Sequence, residues 1–478
     1  MFVSVPKYWK GAKMRLRQEE INMRVRSVKS FVLDRRTSSE ALQVFLIFVS
    51  DNTEQPLDYL EFSYINTNLV VPEYVAPAIC NVSSVSFFQT VLDTKQLDII
   101  FHTIKDNSVL HIKNLYLSDQ NLAGVASDTL GAAACRLQHL NISGTKLSTD
   151  QLNKLFSAIY SCCHLRLQRL MLNKNNLAKV VPDMFAAAVT RLSMVDLPYT
   201  QLTTHQLHTL ALAIRSCSLP RIRRLDLTGN NLSRVSPAIL APALCMVRTA
   251  ILCRTKLGAS QLENLCKTIT ECSEIKLEYL DLKHNQELVA VSSEDLASAM
   301  CRITELDLSR WEGKLTSDQL ELIFTSVKNC SVLKLKEVYL IEQDLSEVTP
   351  DNLALAICRL EVADLSSTGL TPGQLTTLLS SISNCSQLRL SSLNLLGNDL
   401  SSVEPDILAR AVARVEEVSL KNTRLTKRQL QALCNVIAYK ETACRNIKYL
   451  DLADNDQLDN VEDEMFQTIV GKLDHIQI

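Results

Sequence analysis

Leucine and other apolar residues recur along the chain in a short phrase, L-x-x-L-x-L. One set of copies lies at 167–172, 222–227, 277–282, 390–395 and 447–452, and a second set lies between them at 137–142, 192–197, 303–308, 360–365 and 415–420. The two sets alternate with spacings of about 25 and about 30 residues, and a fixed period of this length is the sequence mark of a repeat architecture. The pattern therefore predicts one repeated structural unit along residues 28–478.

Each repeat combines two periodicities. The L-x-L part alternates with a period of two residues, which is typical of a short strand, and the segment after it has apolar residues at helical spacing. A single strand and helix cannot bury their apolar faces, but stacked neighbours close a continuous core. We therefore predict an α/β solenoid of about 15 to 16 strand–helix repeats, with a parallel sheet on the inside and helices on the outside.

The predicted helices begin with two kinds of start sequence. In one set a hydroxyl residue precedes a Gln by three positions, at Ser148, Thr203, Thr316, Thr371 and Thr426. This is a capping box, in which the hydroxyl accepts a hydrogen bond from the N3 amide and the Gln bonds the cap amide in return. In the other set a proline stands in the first turn, where its missing N–H costs nothing, at Pro182, Pro237, Pro350 and Pro405.

The cysteines follow the same period. They end one set of predicted helices at Cys162, Cys217, Cys272, Cys330 and Cys385, and the other set at Cys80, Cys135, Cys245, Cys301 and Cys358. A small, weakly polar side chain that recurs at the helix-to-strand turn behaves as a packed apolar residue. We therefore expect structural cysteines rather than metal ligands or redox centres.

Composition and charge exclude several classes of protein. With 46% apolar residues, and 50 Lys and Arg against 52 Asp and Glu, the chain of 478 residues is neither disordered nor polybasic. The longest apolar run, 41–49, is short of the ~20 residues that a transmembrane helix needs, and residues 1–10 lack a signal-peptide core. We expect reduced cysteines, a cytoplasmic or also nuclear location, and neither nucleic acid nor membrane as a partner.

No familiar catalytic or cofactor-binding motif occurs in the sequence. It contains no Gly-rich phosphate loop, no G-x-S-x-G nucleophile elbow, no C-x-x-C pair and no H-E-x-x-H zinc motif. His205 and His208 stand at helical spacing, but no third ligand is nearby in the sequence. We therefore predict a non-enzymatic protein without a cofactor or a metal ion.

The repeats resemble the ribonuclease-inhibitor-like class of leucine-rich repeats. The resemblance rests on the alternating lengths and on phrases such as Leu225-Asp-Leu-Thr-Gly-Asn-Asn-Leu232, and it covers roughly residues 28–478. It implies a horseshoe with a concave parallel sheet and convex helices. It also implies that the concave face binds protein, without naming the partner, because this scaffold serves many partners.

The strand residues on either side of the buried leucine are the candidate binding residues, since they point away from the core. The predicted partner-binding residues of the concave face are Tyr59, Tyr116, Met171, Asp196, Asp226, Tyr279, Asp281, Asp307, Glu337, Tyr339, Asp364, Tyr449 and Asp451, and Glu305 and Glu417 lie at equivalent positions. Acids and tyrosines dominate, which favours a groove for a partner with a basic surface. The alternative is that these acids only solvate exposed strand positions and that Arg169, Arg224 and Lys283 offset their charge.

Residues 1–27 do not fit the repeat and are predicted to form a separate segment. The stretch Val5-Pro-Lys-Tyr-Trp-Lys10 resembles the last turn of an F-box and the entry into the repeats of F-box leucine-rich-repeat proteins, although the start and body of an F-box are missing. That resemblance implies a ubiquitin-ligase adaptor as a partner, with Tyr8 and Trp9 as contacts. The alternative is a cap in which these two residues shield the first repeat.

Three functions are compatible with a binding scaffold of this kind. The first is recruitment of a partner protein, as the substrate-recognition subunit of a ubiquitin ligase. The second is the sensing repeat domain of an innate-immune receptor, which is disfavoured because the chain has no nucleotide-binding loop. The third is a direct inhibitor resembling ribonuclease inhibitor, for which a more acidic chain than a net charge of −2 is expected.

Overall fold

The structure is a computed structural model that describes residues 3–4, 29–35, 37–51, 56–65, 72–217, 221–309, 314–438, 447–456 and 475–477. The chain divides into two compact units, Met1–Val235 and Ser236–Ile478. Both are built from the same pair of elements, a short strand followed by a helix. The predicted α/β leucine-rich repeat solenoid is therefore confirmed in each unit.

The N-terminal unit contains nine strands and seven helices in its described residues. The strands are β1 (Val3–Ser4), β2 (Ser30–Leu33), β3 (Leu57–Ser63), β4 (Val82–Phe88), β5 (Asn114–Tyr116), β6 (His139–Asn141), β7 (Arg169–Met171), β8 (Met194–Asp196) and β9 (Arg224–Asp226). The helices are α1 (Ser39–Asp51), α2 (Pro72–Cys80), α3 (Thr94–Asp106), α4 (Ser127–Ala134), α5 (Thr149–Ser161), α6 (Pro182–Val189) and α7 (Thr204–Ser216).

The C-terminal unit has nine strands and eight helices in its described residues, besides a short 3-10 helix at Gln286–Ala290. The strands are β10 (Thr249–Ile251), β11 (Tyr279–Asp281), β12 (Glu305–Asp307), β13 (Glu337–Tyr339), β14 (Val362–Asp364), β15 (Ser392–Asn394), β16 (Glu417–Ser419), β17 (Tyr449–Asp451) and β18 (His475–Gln477). The helices are α8 (Pro237–Cys245), α9 (Ala259–Glu271), α10 (Ser293–Met300), α11 (Ser317–Asn329), α12 (Pro350–Ile357), α13 (Pro372–Asn384), α14 (Pro405–Val412) and α15 (Lys427–Ala438). None of the helices in the described part of the chain is long and apolar enough to cross a membrane.

The strands of each unit pair with their neighbours in parallel and in constant register. In the N-terminal unit Leu140 of β6 lies opposite Leu170 of β7, and Leu170 lies opposite Val195 of β8. These middle residues are fully buried, whereas the residues that flank them in β6 and β7 are half-buried. The middle side chain thus packs towards the helices, and its two neighbours form the opposite, open face of the sheet.

The predicted capping boxes are formed, and their glutamines have a second role that the pattern does not reveal. At the start of α5, Gln151 Oε1 accepts from the Ser148 N–H at 2.9 Å. The Nε2 of the same side chain donates to the carbonyls of Leu122 and Val125 in the preceding repeat, at 2.7 Å each. The bonds to the preceding repeat recur at Gln206, Gln374 and Gln429. Each of these glutamines therefore joins two repeats.

Buried asparagines satisfy the backbone of the turns that follow the strands. Asn285 is fully buried and donates to the carbonyls of Leu252 and Leu282 at 2.8 and 2.9 Å. Its oxygen accepts from the Leu257 N–H at 3.0 Å and from the Thr255 hydroxyl at 3.1 Å. The two carbonyl bonds recur at Asn175, Asn230, Asn398 and Asn455. Because a buried backbone group is costly to leave unpaired, these side chains fix the turns.

Arginines that follow the shorter helices bind the ends of the longer ones. Arg191 donates to the carbonyls of Ile159 and Cys162, at 2.7 Å each, where α5 ends. Equivalent bonds to the end of the preceding helix are made by Arg136, Arg302, Arg359 and Arg414. The last carbonyls of a helix have no donor within the helix. Each guanidinium therefore satisfies them and ties its repeat to the one before.

The predicted N-terminal segment is described only at its edge. Val3 and Ser4 pair in parallel with Phe31 and Val32 of β2, and residues 5–28 lie outside the described ranges. The boundary after residue 27 and the contacts of Tyr8 and Trp9 therefore stay predictions.

Replacing Asn285 by Ala is expected to destabilise the C-terminal unit by about 2 to 4 kcal/mol, because the Leu282 carbonyl and the Leu257 N–H lose their buried partner, while the Leu252 carbonyl keeps the Thr255 hydroxyl. Urea unfolding followed by circular dichroism measures the change. The matched control is Asn435→Ala on the exposed side of α15, which is expected to leave the unfolding midpoint unchanged or slightly raised. Equal midpoints for the two variants would show that the turn does not depend on the Asn285 amide.

Candidate functional site

The open face of each sheet carries two rows of side chains, from the first and the third residue of each three-residue strand. Because the strands pair in register, residues of one row lie side by side on neighbouring strands. In the C-terminal unit the first row includes Tyr279, Glu305, Glu337 and Val362, and the third row includes Asp281, Asp307, Tyr339 and Asp364. In the N-terminal unit the first row includes His139, Arg169, Met194 and Arg224, and the third row includes Asn141, Met171, Asp196 and Asp226.

The third-row aspartates mainly serve the turn that follows their strand. The Oδ1 of Asp281 accepts from the N–H of Lys283, two residues further on, at 2.9 Å. The same bond, at 3.0 to 3.1 Å, is made by Asp226, Asp307, Asp364 and Asp451. A carboxylate that bonds the backbone two residues on stabilises a tight turn. The regular L-D-L phrase is therefore explained by the fold, without a partner.

Asp196 is the exception to this turn bond, and its charge is neutralised inside the chain. Two residues after it stands Pro198, which has no N–H to donate. Instead Arg169 bonds Asp196 Oδ2 from Nε at 2.9 Å and from Nη2 at 2.7 Å, while Arg224 Nε bonds Oδ1 at 3.0 Å. The Asp196 side chain is only 5% exposed. The Asp196 carboxylate is thus bonded within the chain, and its predicted role in partner binding stays a prediction.

The repulsion expected between Asp196 and its register partner Asp226 is also offset. Arg224 lies 3.0 Å from one carboxylate and 3.8 Å from the other. Asp226 accepts in addition from the Thr228 hydroxyl at 2.6 Å. In the N-terminal unit, arginines therefore offset the charge of the acids on the open face, as the alternative interpretation of the sequence proposed.

In the C-terminal unit one acid of the third row is paired with a lysine. Lys283 Nζ forms an ion pair with Asp307. Burial lowers the pKa of Lys283, but the hydrogen bond to Asp307 and the charges of Asp281 and Asp307 outweigh it, so the pKa is raised. Asp281 and Asp451 are buried, and Asp451 also accepts from the Ser419 hydroxyl at 3.2 Å. Asp364 accepts from the Asn394 amide at 3.1 Å.

The predicted tyrosines lie on the open face, and most of them contact a neighbouring side chain. Tyr59 donates to Glu61 at 2.5 Å, and burial together with that carboxylate raises the pKa of Tyr59 to about 12. Tyr339 donates to Glu337 at 3.0 Å. Tyr449 stacks on His475 with ring centroids 5.8 Å apart. Tyr116, Met171 and Tyr279 are half-buried at their expected row positions.

Glu305 and Glu337 form an acidic pair that no cation of the described residues balances. They are direct register partners on β12 and β13, and neighbouring strands lie ~4.8 Å apart. In the described ranges neither carboxylate has a Lys, Arg or His nitrogen in ion-pair contact. The pKa of Glu305 is raised by burial first, then by the charges of Glu337 and Asp307. Unlike the third-row aspartates, neither carboxylate accepts from a turn N–H in the part of the chain that the structure describes.

Two tyrosines border this pair. Tyr279 is the register partner of Glu305 on one side, and Tyr339 donates its hydroxyl proton to Glu337 on the other. We name the four residues Tyr279, Glu305, Glu337 and Tyr339 the acidic–tyrosine patch. It combines negative charge with aromatic rings that can pack against a ligand.

Charge is distributed unequally between the two units. Residues 1–235 contain 26 Lys and Arg against 18 Asp and Glu, and residues 236–478 contain 24 against 34, which together make the 50 and 52 of the chain. The near-neutral total thus conceals a basic half and an acidic half. The acidic–tyrosine patch lies in the acidic half.

Among the described residues, no group of three or more His, Cys, Asp or Glu side chains is placed to hold a metal ion. Tyr8 and Trp9, the predicted adaptor contacts, lie outside the described residues.

Asp196→Asn is expected to destabilise the N-terminal unit by about 2 kcal/mol, because two half-buried guanidinium groups lose their shared counter-charge. Thermal unfolding followed by circular dichroism measures the change. The control, Asp183→Asn on the exposed first turn of α6, is expected to cost only a few tenths of a kcal/mol. A loss in Asp196→Asn no larger than in this control would contradict a structural role for the ion pairs.

Glu305→Gln is expected to stabilise the C-terminal unit near neutral pH and to have no effect in acid. A raised pKa means that the folded state holds the Glu305 proton more tightly than the unfolded chain, so ionisation of this carboxyl costs stability above the folded pKa. That cost disappears as the pH falls below the ordinary value of 4.5. Because water screens a half-buried pair, the gain at about pH 7 stays below about 1 kcal/mol.

Thermal unfolding of the wild-type protein and Glu305→Gln at about pH 7 and about pH 4 tests this sign. The exposed Glu271→Gln at the end of α9 is the control for removal of one charge. A stabilisation of Glu305→Gln that grows as the pH is lowered would show that the shift has the opposite direction.

Comparison with known proteins shows that the chain is similar to another protein in its fold alone. No protein-family profile matches the chain, and no curated protein sequence matches it either. Among solved structures, a leucine-rich repeat protein of Leptospira interrogans is similar, with 14% sequence identity and a TM-score of 0.46, over 99% of this chain and 100% of that chain.

Proposed function

We propose that the chain is a non-enzymatic protein-interaction scaffold, and that the open sheet face of its C-terminal unit binds a partner protein through lysine or arginine side chains. The observation that carries this proposal is the register pairing of Glu305 with Glu337 without a balancing cation in the described residues. The contact surface is centred on the acidic–tyrosine patch. Asp364 lies beside Tyr339 in the third row and extends the surface.

The same scaffold offers a comparison within one chain. In the N-terminal unit, first-row positions hold Arg169 and Arg224, and both bond Asp196. In the C-terminal unit the first row holds Glu305 and Glu337 instead, beside the third-row acid Asp307. Two carboxylates at this spacing repel by up to about 1 kcal/mol in water. A sequence selected for folding alone has no reason to keep that pair, whereas a cation supplied by a partner removes the repulsion.

An arginine suits this patch better than an isolated positive charge. Its planar guanidinium has five donors and can bond two carboxylates at once. Its face also stacks on aromatic rings, which Tyr279 and Tyr339 provide on either side of the acidic pair. Tyrosine and arginine are, together with tryptophan, the residues enriched among those that dominate binding energy at protein interfaces. We therefore propose an arginine-bearing partner surface.

The ubiquitin-ligase role is a further proposal that rests on the sequence around Tyr8 and Trp9. In it, residues 1–27 bind a ligase adaptor, and the acidic–tyrosine patch binds the substrate to be modified. The unequal charge of the two halves is also compatible with direct inhibition of a basic enzyme, because the negative charge is concentrated in the unit that carries the patch.

The test is an affinity pulldown from a cell extract, with proteins quantified by mass spectrometry. Wild-type chain is compared with Glu305→Gln/Glu337→Gln and with Glu271→Gln/Glu274→Gln, which removes two exposed acids at the end of α9 and the turn after it. Partners that bind the patch are expected to fall at least tenfold with the first variant, because a charge-assisted contact of more than about 1.4 kcal/mol is lost. They are expected to be retained by the second.

Partners recovered equally by both double variants would contradict binding at the patch. A third bait that lacks residues 1–27 separates the two proposals. Loss of an adaptor with unchanged recovery of patch-dependent partners supports the ubiquitin-ligase role, whereas no adaptor with either chain counts against that role and leaves the patch proposal standing. A basic enzyme among the patch-dependent partners is then assayed directly for inhibition.

A further inference from the structure

A cleft of about 530 Å³ lies in the C-terminal unit, between the ends of α10 and α11. Its lining includes Ser298 of α10, Ser326 and Asn329 of α11, and Ser331 and Lys334 of the turn after α11. We name it the α10–α11 cleft. None of the residues of the acidic–tyrosine patch lines it, and its volume is within the range of small-ligand sites.

The lining of the α10–α11 cleft is positively charged. Arg302 and Lys334 line the cleft, and none of the described residues that line it is an Asp or a Glu. This differs from the C-terminal unit as a whole, in which residues 236–478 contain 24 Lys and Arg against 34 Asp and Glu. The cleft therefore favours an anion inside an acidic unit.

The polar side chains of the cleft are not used by the fold. Those of Ser298, Ser326 and Lys334 make no hydrogen bond or ion pair with another described residue. In α9, by contrast, Thr268 stands at the position of Ser326 and donates its hydroxyl to the Asn264 carbonyl at 2.7 Å. Solvent or a ligand is thus left to bond the donors of the cleft.

The two serines are specific to this pair of helices. At the position of Ser298 the other shorter helices have Pro77, Ala132, Ala187, Pro242, Leu355 and Arg410. At the position of Ser326, α5 and α7 have Ala158 and Ala213. Among the helices of the described ranges, α10 and α11 are the only neighbours with serine at both positions. A packing requirement shared by all repeats therefore does not explain them.

The helix ends beside the cleft are bonded within the chain. The C-terminal end of a helix carries partial negative charge, which opposes an anion. The Cys301 carbonyl after α10 accepts from the Lys334 N–H at 3.0 Å, and the Cys330 carbonyl after α11 accepts from Arg359 at 2.5 Å. These bonds satisfy carbonyl oxygens that would otherwise face a ligand.

The two cations of the cleft differ in mobility. The Arg302 guanidinium donates to the carbonyls of Thr270 and Cys272 at the end of α9, which fixes its position. In the described residues only these two bonds engage its five N–H donors. Lys334 is exposed, and its flexible ammonium has three donors. One fixed and one adjustable cation thus serve the same space.

We propose that the α10–α11 cleft binds a phosphomonoester, whose charge pairs with Arg302 and Lys334 and whose oxygens accept from Ser298 and Ser326. A phosphate ester carries a charge of about −1.5 to −2 at pH 7 and three acceptor oxygens, which suit two cations and several hydroxyls. The cleft is larger than a phosphate group. Val332, which lines it and is 76% exposed, adds apolar surface for the carbon part of the ester.

A phosphomonoester can come from a phosphorylated side chain of another protein or from a small free metabolite. The test is isothermal titration calorimetry of the full chain with a capped phosphoserine peptide and with glycerol 3-phosphate, each beside its phosphate-free counterpart. A dissociation constant below about 1 mM is expected for at least one phosphorylated probe, and no measurable binding for the counterparts. The tighter of the two phosphorylated probes indicates the source.

Three variants assign the binding to the cleft. Lys334→Gln is expected to weaken it at least tenfold, because a charge-assisted contact is lost. Ser298→Ala/Ser326→Ala is expected to weaken it about fivefold, and the equivalent alanines of α4 and α5 show that the fold accepts alanine at both places. Lys276→Gln is the matched control, because the Lys276 N–H bonds the Cys245 carbonyl at 3.1 Å in the equivalent turn after α9. It is expected to change the affinity less than about twofold.

Three results would overturn the proposal. One is equal binding of the phosphorylated probes and their counterparts, since the phosphate would then not be recognised. Another is no binding of either phosphorylated probe up to about 10 mM. The third is equal weakening by Lys276→Gln and Lys334→Gln, which would show attraction to a charged surface rather than binding in the cleft. Circular dichroism of each variant excludes unfolding as the cause of a loss.

Discussion

The structure depends on buried side-chain amides that satisfy the backbone between strand and helix. The strands after β4 are only three residues long in the described part of the chain, so ladder bonds leave much of each turn without partners. Asn285 and its equivalents supply two donors and an acceptor to that turn, and Gln151 and its equivalents bond the carbonyls of the repeat before. A buried amide that serves two repeats fixes their offset along the strands. The constant register, and hence the rows of the open face, follow from it.

Because register is fixed, the acids of the face separate into two physical kinds. The carboxylate of a third-row Asp accepts a hydrogen bond from the backbone N–H two residues further on, as Asp281 does from Lys283. It therefore stabilises its own turn. A first-row Glu makes no such bond to a turn; Glu337 accepts from the Tyr339 hydroxyl of its own strand instead, and this neutral donor does not remove its negative charge. Asp196 has no N–H donor two residues further on, because that residue is Pro198. Two arginines, Arg169 and Arg224, bond its carboxylate instead. Glu305 and Glu337 have no such cation in the described residues, which is why we propose them, rather than the aspartates, as the centre of the binding surface.

Much of this architecture could be predicted from periodicity, because a repeat of leucines, capping boxes and first-turn prolines specifies local structure residue by residue. The strand–helix alternation, the starts of α5, α7, α11 and α13, and the row positions of Tyr279 and Tyr339 followed from it. The roles of the candidate residues did not, since they depend on contacts between repeats. That Asp196 is neutralised by Arg169 and Arg224, from the repeats on both sides of it, is invisible in a pattern that treats each repeat alone. So is the second bond of each capping glutamine.

The inter-repeat contacts suggest why cysteine rather than alanine or serine recurs at the helix ends. Alanine would fill less of the space between α10 and α11, and a pair of serines would bury hydroxyls whose desolvation exceeds that of a thiol. Each arginine clamp already draws the end of the longer helix against the next repeat, as Arg359 does at Cys330. The residue at that end must therefore be small and tolerant of burial. A thiol meets both conditions, so packing between repeats explains why cysteine recurs at the helix ends.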